Sequence, residues 1–242
     1  MSMPFYVAPE QLMKDKADYA RKGIARGRSL AAVLYAEGVL ICAEGILIVA
    51  ENQSVTLRKV SEIYDRIAFA GVGRYSEFEQ LRIAGVRHAD LKGYSFSRED
   101  VDARSLANAY AQILNQVFTH EIKPLEVEIL VAEVATAEGG STDQLYHILY
   151  DGTVMDEDHY SVLGGEADQI TERIEASWQD GLDLGAGIAV AVAALAGDDR
   201  SLSADDLEVA VLGRNNGRRA FRRIEGDELA SLAPAPSGSA DG

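Results

Sequence analysis

Between Ser29 and Glu51 the chain reads SLAAVLYAEGVLICAEGILIVAE, apolar almost throughout, and it repeats itself. Residues 36–42 (AEGVLIC) are followed at once by residues 43–49 (AEGILIV), and the copies differ only at Val39/Ile46 and Cys42/Val49. Run out as one strand, the stretch would span roughly 75 Å, far too long for a domain of this size. The chain must fold back, and Ala-Glu-Gly is the turn that lets it. Side chains alternate with period two, so displacing a strand by seven residues would exchange its faces. One copy is therefore expected in a regular ladder. The other should leave it as a lengthened hairpin or a bulging loop.

The rest of the chain alternates strand blocks with helix pairs. Residues 8–23 (APEQLMKDKADYARKG) open on Pro9 and place Leu12, Met13, Ala17 and Ala20 at helical spacing, which predicts a helix ahead of the first strand. RIAFAGVG (66–73) is a strand ending in a Gly-x-Gly turn. Two helical stretches follow, the second carrying Leu106, Tyr110, Ile113, Leu114 and Val117 at three- and four-residue steps. LEVEILVAEV and the pair around Asp151-Gly152 read as strands. EADQITERIEASWQD and DLGAGIAVAVAALAG restore helix, and DLEVAVLG with RRAFRRIEG closes the domain as a strand pair. Helix pairs between antiparallel strand blocks predict an α+β fold, a four-layer αββα sandwich with an extra N-terminal helix. Residues 8–232 form that domain, preceded by a short segment 1–7 and followed by a small-residue tail, 233–242, expected to be disordered.

The charge excludes several function classes. A net charge of −16 opposes general attraction to nucleic acid or anionic membrane. A lone cysteine and four scattered histidines give neither a disulfide framework nor zinc spacing, so no metal or cofactor is expected. The start has no leader-like apolar core, and the longest apolar run is too short to span a bilayer. A cytoplasmic location is expected. Gly71-x-Gly73 lacks the third glycine and the lysine of a phosphate loop.

Several segments, in this order, resemble the proteasome α subunits of actinobacteria: ARKGIARGRS, GILIVAEN, LRKVSEIYDRIAFAGVG, SLANAYAQ, LEVEILVAEV and LEVAVLGRNNGRRAFRRI. The resemblance runs from about Met1 to Leu232. It implies the sandwich of the N-terminal-nucleophile hydrolases, in agreement with the element order. It also implies a non-catalytic structural subunit that forms a homo-heptameric ring with neighbouring α subunits. That ring would template assembly with threonine-protease β subunits, gate substrate entry, and dock ring-shaped ATPase or other activators through their C-terminal tails. The family has one Ala-Glu-Gly-strand unit where this chain has two. The spacing from Ile46 to Lys59 matches the family, so the second copy is expected to be the ladder strand and the surplus to lie at the hairpin turn.

A catalytic relative needs a threonine at the mature start of the first strand, where its free α-amine serves as base. Here Gly27-Arg28-Ser29-Leu30 opens that strand, with Arg28 about where the nucleophile would stand. Gly140-Ser141, Gly152-Thr153 and Gly238-Ser239 lie in a loop, a turn and the tail, so no catalytic residue is assigned. His159-Tyr160 reads as strand packing. Lys59 carries two readings. The resemblance implies an activator-docking ammonium facing a tail carboxylate; without it, a surface lysine bonded to Glu62 or Asp65 would be expected. Met3, Pro4, Phe5, Tyr6 and Val7 are the implied gate. Two rival readings are a self-processing amidase or peptidase of the same fold, and a free-standing acidic interaction module.

Overall fold

The computed structural model describes residues 8–50, 53–136 and 142–233, and their side chains apart from those of 46–56. Helix α1 (Pro9–Ile24) comes first, with Pro9 in its first turn, where no amide hydrogen is needed. Strands β1 (Leu30–Tyr35) and β2 (Gly38–Glu44) pair across the two-residue turn Ala36-Glu37. A short hairpin follows, β3 (Ile46–Ala50) with β4 (Gln53–Leu57). Next are β5 (Val60–Tyr64), β6 (Ile67–Gly73), α2 (Tyr75–Ser95), α3 (Ala103–His120) and β7 (Val127–Glu133). The chain continues through β8 (Gln144–Ile148), β9 (Val154–Glu157), β10 (Tyr160–Leu163), α4 (Ala167–Ser177) and α5 (Leu184–Ala196). It closes with β11 (Leu207–Gly213), β12 (Phe221–Ile224) and α6 (Gly226–Leu232).

Two five-stranded antiparallel sheets result, ordered β10-β1-β2-β11-β12 and β5-β6-β7-β8-β9. Period-two alternation gives each strand of β2, β6 and β7 two apolar faces. Val39, Ile41 and Ala43 of β2 meet Ala68, Ala70, Leu130 and Ala132 in the core between the sheets. Alanines at many of these positions let two sheets pack closely. The alternate residues Leu40 and Cys42 face α4 and α5. Phe69, Ile129 and Val131 face α2 and α3. Helix α1 adds Ala20 and Ile24 to the inter-sheet core. Its Lys16 donates to the carbonyls of Phe118 (3.0 Å) and Glu121 (2.7 Å), satisfying the C-terminal end of α3. The expected αββα order, with an added N-terminal helix, is what forms.

One expectation is overturned. The first copy of the repeat, and not the second, is the ladder strand. Every residue of β2 is buried, and the strand is flanked on both sides, pairing Leu34↔Val39 with β1 and Leu212↔Val39 with β11. Val39, Leu40 and Ile41 are thus covered by the domain's own core. The reason is loop closure: the first copy follows β1 after two residues, and short closures form most readily. Once it sits between β1 and β11, no ladder position is left for the second copy. That copy pairs with residues 53–57, as a hairpin outside both large sheets.

Candidate functional site

The chain between α1 and β1 passes Gly27-Arg28-Ser29 and enters the sheet beside the end of β2. Lys59 stands on the link between β4 and β5 and is 2% exposed. Its Nζ donates to the backbone carbonyl of Arg28 at 2.6 Å. Glu208 of β11 accepts from the backbone amides of Lys59 (2.7 Å) and Val60 (3.3 Å), and from Arg223 Nη1 (2.5 Å). This buried carboxylate fixes where the β4–β5 link crosses the sheet edge.

Glu44, the last residue of β2, is the second buried carboxylate. Arg200 grips it in bidentate fashion at 2.9 and 3.0 Å, and Arg28 Nη1 lies 3.4 Å away. Arg26, Arg28, Ser29, Glu44, Arg200 and Asp206 line a cavity of about 570 Å³ over this cluster. Burial pushes the Lys59 ammonium down to about 8, against the pull of Glu44 and Glu208 and with a push from Arg28. Asp206 is held below the usual carboxylate range, first by the hydroxyl of Ser203.

The cavity sets Arg26, Arg28 and Arg200 against Glu44, Glu166 and Asp206, with Arg28 and Arg200 already paired to Glu44. The group beside the Lys59 amine is a peptide carbonyl of an arginine, and a guanidinium is no nucleophile. The nitrogens of Arg28 and Ser29 are locked in peptide bonds, so neither offers the free α-amine that N-terminal nucleophiles use as base. Of the other Gly-hydroxyl pairs, Gly152-Thr153 lies in the turn between β8 and β9, with Gly152 at φ +88. Gly140-Ser141 and Gly238-Ser239 lie outside the described residues. Of the pair read as strand packing only Tyr160 is in a strand; His159 lies exposed in the bend before β10 and stacks on Trp178, just past α4, at 4.5 Å.

The surface reading of Lys59 is overturned. Glu62 binds Arg219 and Asp65 binds Arg98, and Lys59 points inward instead. Gate residues Met3, Pro4, Phe5, Tyr6 and Val7 lie outside the described residues. Sequence reading missed Glu44, Glu208 and Arg200. The first two carried a faint signal, as single acids inside apolar strands. Arg200 comes from a polar loop more than 150 residues from its partner and carried none.

Among the described residues no group of His, Cys, Asp and Glu is placed to hold a metal, and no helix is long and apolar enough to cross a membrane. Residues 24–212 match the family described as proteasome subunit. The proteasome subunit alpha of Acidimicrobium ferrooxidans is 61% identical over 241 residues, covering 99% of this chain and all of the relative. That of Sanguibacter keddieii is 56% identical, covering 99% of this chain and 92% of the relative. The proteasome subunit alpha of Saccharopolyspora erythraea is 55% identical, over 100% and 93%. Together with the αββα sandwich, these matches settle the family: the chain belongs to the proteasome subunits, among the non-catalytic alpha type of actinobacteria.

Proposed function

We propose that this chain forms the outer, homo-heptameric ring of a cytoplasmic proteasome core particle. The ring templates β subunits, gates entry through Met3, Pro4, Phe5, Tyr6 and Val7, and docks ring-shaped ATPase or other activators by their C-terminal tails at Lys59. The observation that carries the reading is the Lys59 amine resting on the carbonyl of Arg28. It keeps the lysine of a threonine-protease site while a residue without nucleophilic chemistry stands opposite. Arg26, Arg28 and Arg200 line the adjoining cavity and offer cations to an entering carboxylate. Assembly is supported by the apolar end of α2, where Leu91, Tyr94 and Phe96 are 67%, 91% and 77% exposed. Patches of this kind mark protein contacts.

The test is reconstitution. The chain alone should not cleave fluorogenic peptides, and should do so only with a β partner, sensitive to threonine-directed inhibitors. In that particle Lys59→Ala should weaken binding of an activator-tail peptide by about one to two decades, the loss of a charged hydrogen bond of about 1.5–3 kcal/mol. Basal peptide cleavage should stay near normal. Deleting residues 2–7 should speed degradation of unfolded protein more than that of small peptides. Inhibitor-sensitive hydrolysis by the chain alone, with loss of mass at a Gly-Thr or Gly-Ser bond, would overturn the reading in favour of a self-processing hydrolase.

A further inference from the structure

The seven residues of β2 are Gly-Val-Leu-Ile-Cys-Ala-Glu, 38–44, and the seven that follow are Gly-Ile-Leu-Ile-Val-Ala-Glu, 45–51. Position by position, the second set offers what the β2 site requires. The site begins with a glycine at φ +149, where any Cβ would collide with the Leu212 carbonyl; Gly45 meets that need. It ends with an acid gripped by Arg200 and neighboured by Arg28; Glu51 is an acid. The inter-sheet positions of Val39, Ile41 and Ala43 would receive Ile46, Ile48 and Ala50. The helix-facing positions of Leu40 and Cys42 would receive Leu47 and Val49. Because a whole strand is replaced by its positional equivalent, no side chain changes face.

From this we propose that the chain exchanges between two registers, with either copy of the repeat serving as β2. The connections permit it. Glu44 pairs with Leu207, and the Lys59 and Val60 amides bond to neighbouring Glu208. The end of β2 and the start of β5 therefore lie close together. In the second register residues 52–59 bridge that gap, and eight residues reach about 26 Å when extended. The β1–β2 turn then grows from two residues to nine, and loop closure depends only weakly on length. What is given up is the β3–β4 hairpin, and isolated two-stranded hairpins are marginal in water. The first register is favoured because Ile46 and Val49 bring extra bulk into sites that Val39 and Cys42 already fill. Exchange moves seven surplus residues from the Lys59 end of the sheet to the opposite end, beside Arg214, which bonds the Ala36 and Glu37 region.

The chain carries its own reporter. Its single cysteine, Cys42, is wholly buried in the first register, and burial pushes the thiol up to about 12, so it is inert there. In the second register Val49 takes its place and Cys42 falls in the long turn. The experiment is alkylation of the native full-length chain under folding conditions, read as one adduct by intact mass. Gly45→Ala bars the second copy from β2 through the Leu212 clash. In the first register φ is ordinary and its Cβ would stand 3.3 Å from the Asp206 carbonyl, a close contact that a shift of a few tenths of an ångström relieves, against the outright collision with the Leu212 carbonyl in the second. It should slow labelling by about tenfold or more. Gly38→Ala bars the first copy, and should give a folded chain whose Cys42 reacts at the rate of an exposed thiol. Labelling that proceeds only at the global unfolding rate and is unmoved by Gly45→Ala overturns the proposal. So does a Gly38→Ala chain that does not fold.

Discussion

The two copies of the repeat agree at five of seven positions, yet they stand in different surroundings. Residues 38–44 are buried on both faces and paired on both edges, while residues 46–50 pair only with 53–57 outside the large sheets. Local propensity is the same for both, so it cannot account for the difference. The ladder position decides, and that position is fixed by its ends. At one end a two-residue turn and a positive-φ glycine admit the strand. At the other, Glu44 between Arg200 and Arg28 stops it. The strand site is thus specified by its frame, and the sequence supplies two occupants for it.

The hardest test of that comparison removes an occupant's core residue while barring the other copy. Leu40 is fully buried against α4 and α5, and truncating such a residue costs about 2–5 kcal/mol. Combined with Gly45→Ala, Leu40→Ala should show the whole of that loss in denaturant unfolding. Leu40→Ala alone should cost clearly less, because the second copy can fill β2 with Leu47. Equal losses for the single and double variants would mean that the second copy is never an occupant.

A smaller effect tests the charged end of the frame. Lys59 has an ammonium held near 8 in the folded chain against an ordinary 10.5. Below pH 8 it is charged in both states, and the native state bears the full cost of burying it. Between 8 and 10.5 the unfolded chain binds more protons, so this group makes the protein more stable as pH rises. Cys42 and Tyr110, both pushed up by burial, act in the opposite sense at high pH. Comparison with Lys59→Met isolates the lysine. The stability of the native chain relative to Lys59→Met should rise by on the order of 2–3 kcal/mol between pH 7 and 10.5. A constant difference across that window would place the amine in water.

What could be read from the sequence divides along the same line. Strand and helix blocks were legible because period 3.6 survives in α1 and α3 and β7 alternates before its buried run, while β6 and α5 read as short buried apolar segments, and the sandwich followed from their order. The αR-incompatible turn at Gly71-x-Gly73 was legible too, and Gly73 has φ +115. The choice between the two copies was not, since both carry the same pattern and only tertiary closure separates them. The inward aim of Lys59 was hidden for a related reason. Glu62 and Asp65 are near in sequence, whereas the groups that capture Lys59 and its link, Arg28 and Glu208, lie 31 and 149 residues away.

The smallest expected effect sharpens the comparison most. Glu44 and Glu51 end the seven-residue segments 38–44 and 45–51, and Glu44 closes the β2 frame. On a Gly45→Ala background, where Glu51 cannot take its place, Glu44→Gln keeps an acceptor for Arg200 but removes the charge. Both arginines are roughly half exposed, so solvent screening limits the loss to about 1 kcal/mol. The informative readout is elsewhere. Glu44 is the foremost of the charges holding the Lys59 ammonium on. Without it, the rise in stability linked to Lys59 should begin at lower pH, below about 8. Glu208 remains and keeps the β4–β5 link in place, so the Arg28–Lys59 contact should survive and the shift should report charge alone. A titration midpoint that stays put would show that Glu44 anchors the strand end without acting on the lysine.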